Sequence, residues 1–306
     1  MLRAPILAAA RSRHLGAAAA RLPGTRAVVA RFVPGPGQDD ALRACRELTA
    51  AGLQVSLDHL GEDTTDLAQV GAVVRAYTDL LTALGHEGLA DRVEVSVKLT
   101  ALGLDIDRSR ALGAAHEIAS AAAEAGTTVT VDMEDHTRTD VTLDTVAALR
   151  RDHPDVGAVL QAYLRRTEAD CRDLAGPGSR VRLCKGAYDE PISVAYQAKS
   201  DVDSSYLRCL TVLMEGQGYP MIATHDPRLI EAAGRLVATT GRGPGDYEHQ
   251  LLYGVRPDEQ TRLAQSGATV RIYTPYGKEW YGYLMRRLAE RPANLRLFLR
   301  ALASRS

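Results

Sequence analysis

Eight short apolar runs, each followed by an amphipathic stretch of helical length, constrain the fold of this chain more than any other feature. The runs span residues 53–57, 92–99, 128–133, 157–164, 180–184, 220–224, 247–253 and 269–273. Such alternation is typical of repeated βα units built around a parallel sheet. Eight strands close a barrel, whereas an open doubly wound sheet usually stops earlier and begins with a glycine-rich turn. The pattern therefore predicts an α/β fold of the (βα)8 barrel type.

The stretches between the runs predict the helices and the extent of the barrel. Helices are expected over residues 65–84, 109–125, 141–152, 167–174, 193–214, 227–240, 257–266 and 278–289, with one more after Pro292. A further helix near 39–51 follows a Pro-Gly-Pro-Gly turn at 34–37. Since no internal linker interrupts the pattern, we expect an N-terminal helical arm over residues 1–51 and one barrel with C-terminal helices over residues 52–306.

Composition and short motifs exclude several classes of protein. The net charge of -1 over 306 residues offers no field for nucleic acid, and neither GxGxxG nor GxxxxGK[ST] follows a predicted strand. The four cysteines lack disulfide-rich or zinc-site spacing, which predicts reduced thiols in a cytoplasmic protein. No apolar run approaches the roughly 20 residues of a membrane span, so any membrane contact must be peripheral.

The N-terminal segment leaves three interpretations open. The first 38 residues contain six arginines and many alanines but no Asp or Glu. This composition fits a helical arm that packs on the body, a basic helix that lies on a membrane surface, or a cleaved targeting peptide.

Polar side chains stand at the ends of consecutive runs, where the loops of a βα barrel converge over its mouth. These are Lys98, Asp132, Glu134, Asp135, His136, Gln161, Tyr163, Arg182, Lys185, Thr224, His225 and Asp226. A basic cluster with scattered carboxylates suits an anionic ligand, because ammonium and guanidinium groups donate charge-assisted hydrogen bonds. Asp132 and Glu134 share one strand face and His225 comes from another strand, and this spacing does not indicate a metal site.

The last predicted helix is a second candidate for an anion site. Tyr283, Arg286 and Glu290 follow one another at i, i+3 and i+7, and Arg287 lies one position round. Glu290 is four residues after Arg286 and is expected to orient its guanidinium by an ion pair. A solvated helix face explains the same pattern, so the residues alone leave both interpretations open.

Two segments resemble the flavin-dependent proline dehydrogenases. Residues 182–188 read Arg-Leu-Cys-Lys-Gly-Ala-Tyr, and residues 283–290 read Tyr-Leu-Met-Arg-Arg-Leu-Ala-Glu. Supporting matches, in the order of the family, lie at residues 97–103, 160–164, 224–226 and 271–273. The resemblance implies a distorted barrel whose last helix lies over the mouth.

The resemblance also implies roles for individual residues. The catalytic group would comprise Lys98, Asp132 and Arg182. Residues that would bind L-proline are Lys98, Ala187, Leu252, Tyr273, Tyr283, Arg286 and Arg287. Residues that would contact FAD are Met133, Gln161, Arg182, Cys184, Lys185, Gly186, Ala187, Tyr188, Lys199, His225, Gln250 and Leu252.

The implied reaction is hydride transfer from proline C5 to flavin N5, with electrons passed to a membrane quinone. An enzyme of this kind would act in the cytoplasm or peripherally at the cytoplasmic face of the inner membrane. The sequence departs from the family pattern at three positions: Asp189 stands where the long bifunctional relatives carry Trp, Asp226 where Asn is common and Cys184 where Val is usual. Tyr273 fills a place where relatives that use hydroxyproline have a smaller residue, which predicts a preference for proline.

Two other functions fit the residues without the resemblance. A Schiff-base aldolase would use Lys98 or Lys185 as its nucleophile. A barrel without catalytic activity would bind only an anion through the same basic residues.

Overall fold

A computed structural model describes residues 29–62 and 64–290, and eight parallel strands of this part close a barrel. In chain order they are β1 (Gln54–His59), β2 (Val93–Val97), β3 (Val129–Val131), β4 (Gly157–Gln161), β5 (Arg180–Cys184), β6 (Tyr219–Ala223), β7 (Glu248–Leu252) and β8 (Val270–Tyr276). Each strand pairs with the next, and β8 closes on β1 with Tyr273 opposite Ser56. The predicted barrel is therefore confirmed.

A helix precedes the first strand, and a further helix follows each strand. They are α1 (Gln38–Ala50), α2 (Leu67–His86), α3 (Arg108–Ala125), α4 (Thr139–Leu149), α5 (Thr167–Asp173), α6 (Lys199–Glu215), α7 (Pro227–Thr240), α8 (Pro257–Gln265) and α9 (Trp280–Glu290). Asp66, Asp107 and Asp226 cap α2, α3 and α7 by accepting hydrogen bonds from backbone N–H groups of the first turn. Residues 1–28 of the predicted arm, and the helix predicted after Pro292, lie outside the described residues.

Most boundaries differ by a few residues from the sequence prediction, and three of these differences lie at the barrel mouth. The run over residues 157–164 ends as a strand at Gln161, and the helix expected from residue 193 begins at Lys199. Just beyond both boundaries Leu164 forms an isolated antiparallel bridge with Ala195, at points where the chain is neither strand nor helix. Strand β8 continues to Tyr276, three residues past its predicted end.

The barrel has a polar interior, and its hydrophobic core lies between the strands and the helices. Val95, Leu183 and Ile272 face outward into apolar clusters with the helices. Inside, Arg182 of β5 bonds to Ser56 of β1 and to Ser96 of β2. These strands are not neighbours, so the contacts cross the barrel interior. Most barrels of this type fill that space with branched apolar side chains.

Helix α9 lies over the barrel mouth, as the family resemblance predicts. Its residues Tyr283 and Leu284 are buried in a cluster with Phe32, Val33 and Leu60, which belong to loops at the mouth. The outer position beside β8 and β1 is taken by α1, which packs on both of these strands. The N-terminal segment therefore completes the outer ring that α9 leaves open.

Candidate active site

One cavity of about 610 Å³ opens at the carboxyl ends of the strands, beneath α9. Its lining contains every catalytic, substrate-binding and FAD-contacting residue predicted from the sequence. The exception among the predicted site residues is Glu290, whose side chain is outside the described part of the structure. The fold thus brings together residues from β2 to β8 and from the last helix.

Lys98 lies at the centre of the cavity and is held by two carboxylates. Its Nζ donates to both oxygens of Asp58 at 2.7 and 2.8 Å and to Asp132 Oδ2 at 3.3 Å. The Tyr273 hydroxyl donates to the same Asp132 oxygen at 2.7 Å and lies 3.3 Å from Lys98 Nζ. Burial opposes the ammonium form, but Asp58 and the other acidic neighbours together outweigh it and raise the pKa of Lys98 well above its ordinary value. This charge disfavours Lys98 as a Schiff-base nucleophile, which must be neutral.

Arg182 is buried in the barrel floor below Lys98, and all of its donors are used. Nε donates to Gln250, Nη1 to Ser96 and Asp132, and Nη2 to Ser56 and Glu94, at distances from 2.5 to 3.3 Å. A guanidinium has five N–H groups in a fixed plane. The side chain is therefore locked in one orientation and shares Asp132 with Lys98.

A charged network beneath Arg182 supports this arrangement. Glu94 accepts from Arg180 and Arg182, and Arg271 donates to Glu248 at 2.8 Å. Burial opposes ionisation of Glu94, but Arg271, Arg180 and Arg182 outweigh it and lower the pKa of Glu94 to about 2. Such fully paired networks hold side chains rigidly, because breaking one bond leaves a buried charge without a partner.

Helix α9 places Arg286 and Arg287 at the opposite wall of the cavity. Arg286 forms a two-pronged ion pair with Glu62 of the β1–α2 loop, with Nη1 and Oε2 3.1 Å apart. Arg287 stacks over the Tyr283 ring, 5.3 Å from its centroid. The sequence predicts Glu290 as the orienting partner of Arg286, whereas the partner found among the described side chains is Glu62.

The rim of the cavity beside α6 and α7 carries the two other lysines of the predicted site. Lys185 and Lys199 both donate to Asp226 Oδ2 at 3.0 Å, and both also contact Asp203. Burial opposes ionisation of Asp226, but the hydrogen bond from Lys185 helps to hold its pKa well below the usual range. Asp226 also caps α7 through the Arg228 N–H.

Sequence reasoning missed several residues of the site. Asp58 follows the first apolar run, just as Lys98 ends the second, so the rule applied to the other strand ends would have found it. No pattern in the sequence indicated Glu62, because this loop residue contacts Arg286 only when the last helix lies over the barrel mouth.

Two features are absent from residues 29–62 and 64–290. They contain no group of three or more His, Cys, Asp or Glu side chains placed to hold a metal ion. They also contain no helix that is both long enough and apolar enough to cross a membrane.

The family model and the sequence relatives that match this chain all point to one family. A family model described as proline dehydrogenase matches residues 41–298. Proline dehydrogenase 2 of Bacillus subtilis is 37% identical over 272 residues, which cover 89% of each chain. Proline dehydrogenase of Deinococcus radiodurans is 39% identical over 269 residues, which cover 86% of each chain.

A solved structure agrees with these sequence relatives. The crystal structure of proline utilization A from Bdellovibrio bacteriovorus, inactivated by N-propargylglycine, superposes with a TM-score of 0.79 at 25% identity. The match covers 86% of this chain and 32% of that one, so this chain spans about a third of its length. With the barrel, the covering helix and these relatives in agreement, the chain belongs to the proline dehydrogenase family.

Proposed function

We propose that this chain oxidises L-proline to Δ1-pyrroline-5-carboxylate with FAD as its cofactor, the first step of proline degradation to glutamate. A membrane quinone is the proposed electron acceptor. The observation that carries the proposal is the convergence of Lys98, Arg286 and Arg287 above the buried Arg182 in one cavity. The names of the sequence relatives support the substrate.

The cavity suits a flavin in its turn geometry and its polar lining. Gly186 has a φ of 110°, and a Cβ there would lie 2.3 Å from the ring of Tyr163. The backbone conformation and the packed Tyr163 ring therefore both require glycine in this turn, which lines the cavity. Arg182, Gln161 and Gln250 line the same cavity, and the hydrogen bond from Arg182 Nε to Gln250 Oε1 fixes two of these side chains relative to each other. When bound, FAD supplies the hydride acceptor, because the hydride of proline C5 moves to its N5 atom.

The proposed carboxylate site lies between α9 and the end of β2. Arg286 and Arg287 each present a planar guanidinium group whose paired N–H donors match the two oxygens of a carboxylate. Lys98 adds a compact ammonium group from the opposite side. Arg286 must exchange Glu62 for the substrate, so binding replaces one carboxylate by another at the same guanidinium. Because the exchange conserves the ion pair, the charge of Arg286 is not left unpaired in the loaded site.

The proposed catalytic role of Lys98, Asp132 and Arg182 follows from their shared contacts. Asp132 accepts from Arg182, Lys98 and Tyr273 at once, which fixes all three donors relative to one another. Arg182 is positively charged and immobile, so it can stabilise negative charge that develops on a reduced cofactor above it. Tyr273 and Tyr283 line the space between, where the pyrrolidine ring would lie.

The flavin spectrum tests the proposal directly. The purified protein is expected to take up FAD and turn yellow, and L-proline is expected to bleach the flavin absorbance under anaerobic conditions. Reoxidation by a soluble quinone analogue tests the proposed acceptor. A protein that takes up no FAD, or whose bound flavin is unchanged by L-proline, would refute the proposed function.

A further inference from the structure

A largely buried cluster at the wall of the cavity connects three loops of the barrel mouth. It consists of Tyr163 after β4, Glu190 in the β5–α6 loop and His136 after β3, and we call it the loop brace. Glu190 is a charged residue with only 7% of its surface exposed, and Tyr163 has 4%. None of the roles proposed above uses these three side chains.

Glu190 receives donors from two different loops. Its Oε1 accepts from the backbone N–H of His136 at 2.8 Å and from the Tyr163 hydroxyl at 3.3 Å. Its Oε2 contacts Nδ1 of His136. Burial, followed by Glu190, raises the pKa of Tyr163, so the phenol stays protonated and can donate. A buried carboxylate with this many donors holds its loop in one position.

The loop that Glu190 anchors is the one that carries Gly186, Ala187 and Tyr188. The Tyr163 ring packs against Gly186 so closely that a Cβ there would lie 2.3 Å from its Cδ1 and Cε1 atoms. The backbone on either side is also tied to Tyr163, since Tyr163 N–H donates to Lys185 O at 2.9 Å and Tyr196 N–H donates to Tyr163 O at 2.8 Å. Tyr163 therefore contacts this loop before, at and after its glycine turn.

We propose that Tyr163 and Glu190 are positioning residues that hold the Gly186–Tyr188 turn in the conformation that binds FAD. This inference rests on the proposed function, since it assigns the turn to the flavin. Without the brace the turn samples other conformations, and the apparent dissociation constant for FAD rises by the inverse of the competent fraction. The His136 contacts extend the same support to the loop after Met133.

A pair of tyrosine variants tests the inference. Tyr163→Phe removes the hydroxyl and keeps the ring. Tyr206→Phe is the matched control, because Tyr206 is also fully buried and donates one hydrogen bond, to Leu183 O at 3.1 Å, on the outer side of β5. The FAD dissociation constant is measured by flavin fluorescence quenching on titration of the FAD-free protein. Hydrogen exchange of the loop amides over residues 186–197 is measured without FAD.

Tyr163→Phe is expected to weaken FAD binding about tenfold, the effect of losing one hydrogen bond to a buried carboxylate. It should also speed amide exchange in the loop, whereas Tyr206→Phe should leave both quantities close to those of the unmodified protein. Glu190→Gln is the second variant and should act in the same direction. If one of the two brace variants does not fold, the other supplies the test.

The possible failures are distinguishable. FAD binding by the unmodified protein, with an affinity that neither brace variant changes by more than about twofold, would refute the inference and leave the proposed function intact. An equal loss in Tyr206→Phe would assign the effect to general stability and refute the inference too. Failure of both brace variants to fold would assign the cluster to the fold. An unmodified protein that takes up no FAD would refute the proposed function and the inference together.

Discussion

Replacement of Glu134 by Gln should remove a pH-dependent cost of folding. Glu134 follows β3 and is 5% exposed, with its Oε1 atom accepting from Thr100 N–H at 3.0 Å and Oε2 in contact with the Thr100 hydroxyl. Burial raises the pKa of Glu134 from 4.5 to about 7, against the lowering effect of the Thr100 hydrogen bonds. A carboxyl whose pKa is higher in the folded state contributes its full stability below its unfolded pKa and loses it as the pH rises through its folded pKa.

The magnitude follows from this pKa interval. Each pH unit within it changes the free energy of unfolding by about 1.4 kcal/mol, so the whole interval costs the folded protein about 3 kcal/mol. Glutamine has a similar shape and does not titrate. Between pH 5.5 and 8.5 the stability of Glu134→Gln relative to the unmodified protein should therefore increase by about 2 kcal/mol.

Urea denaturation of the FAD-free protein at several pH values measures this difference. Comparison of the two proteins at each pH cancels the titration of the other carboxyl groups. Glu124→Gln, at an exposed position of α3, is the control and should show no such trend. A difference for Glu134→Gln that stays constant from pH 5.5 to 8.5 would show that burial does not raise this pKa.

Three further predictions concern the proposed proline site. Asp58→Ala leaves the buried Lys98 with less compensation and should lower the free energy of unfolding by about 3 kcal/mol, and an unchanged urea midpoint would contradict the pairing. Arg286→Lys loses the planar guanidinium and should raise KM for L-proline about tenfold with kcat nearly unchanged. A fall in kcat alone would argue against a role of Arg286 in substrate binding. With Tyr273 closing the ring site, kcat/KM should be higher for L-proline than for trans-4-hydroxy-L-proline, and the reverse order would refute that role.

The fold and most of the candidate site were accessible from the sequence for two reasons. Strands of a parallel barrel are short and apolar on their outer face, so β5 and the other strands stand out from the amphipathic helices. Their carboxyl ends meet at one mouth, which identifies Lys98, Arg182 and His225 as neighbours without any knowledge of distances. The last helix was different, because its residues alone were consistent with a solvated face until the family resemblance placed it over the mouth.

The contacts that set charge and orientation were not accessible in this way. Arg286 and Glu62 are 224 positions apart, and their pairing depends on α9 leaving the outer ring while α1 occupies the free position. The hydrogen bond between Tyr163 and Glu190 was not accessible either, because it joins residues of two different loops. The hydrogen bonds of Arg182 inside the barrel were also not accessible from the sequence, because they require five strands in a defined register along the barrel axis.

The sequence by itself determined the eight-stranded barrel, the end of the barrel that carries the polar groups and the candidate residues at that end. These follow from local periodicity and from the parallel direction of the strands. Only the tertiary structure decided that α1 fills the outer position left by α9, that Asp58 holds Lys98 and that Glu62 holds Arg286. The physical reason is that ion pairs and helix packing depend on distances of a few ångströms between distant parts of the chain, which barrel closure sets and local sequence does not encode.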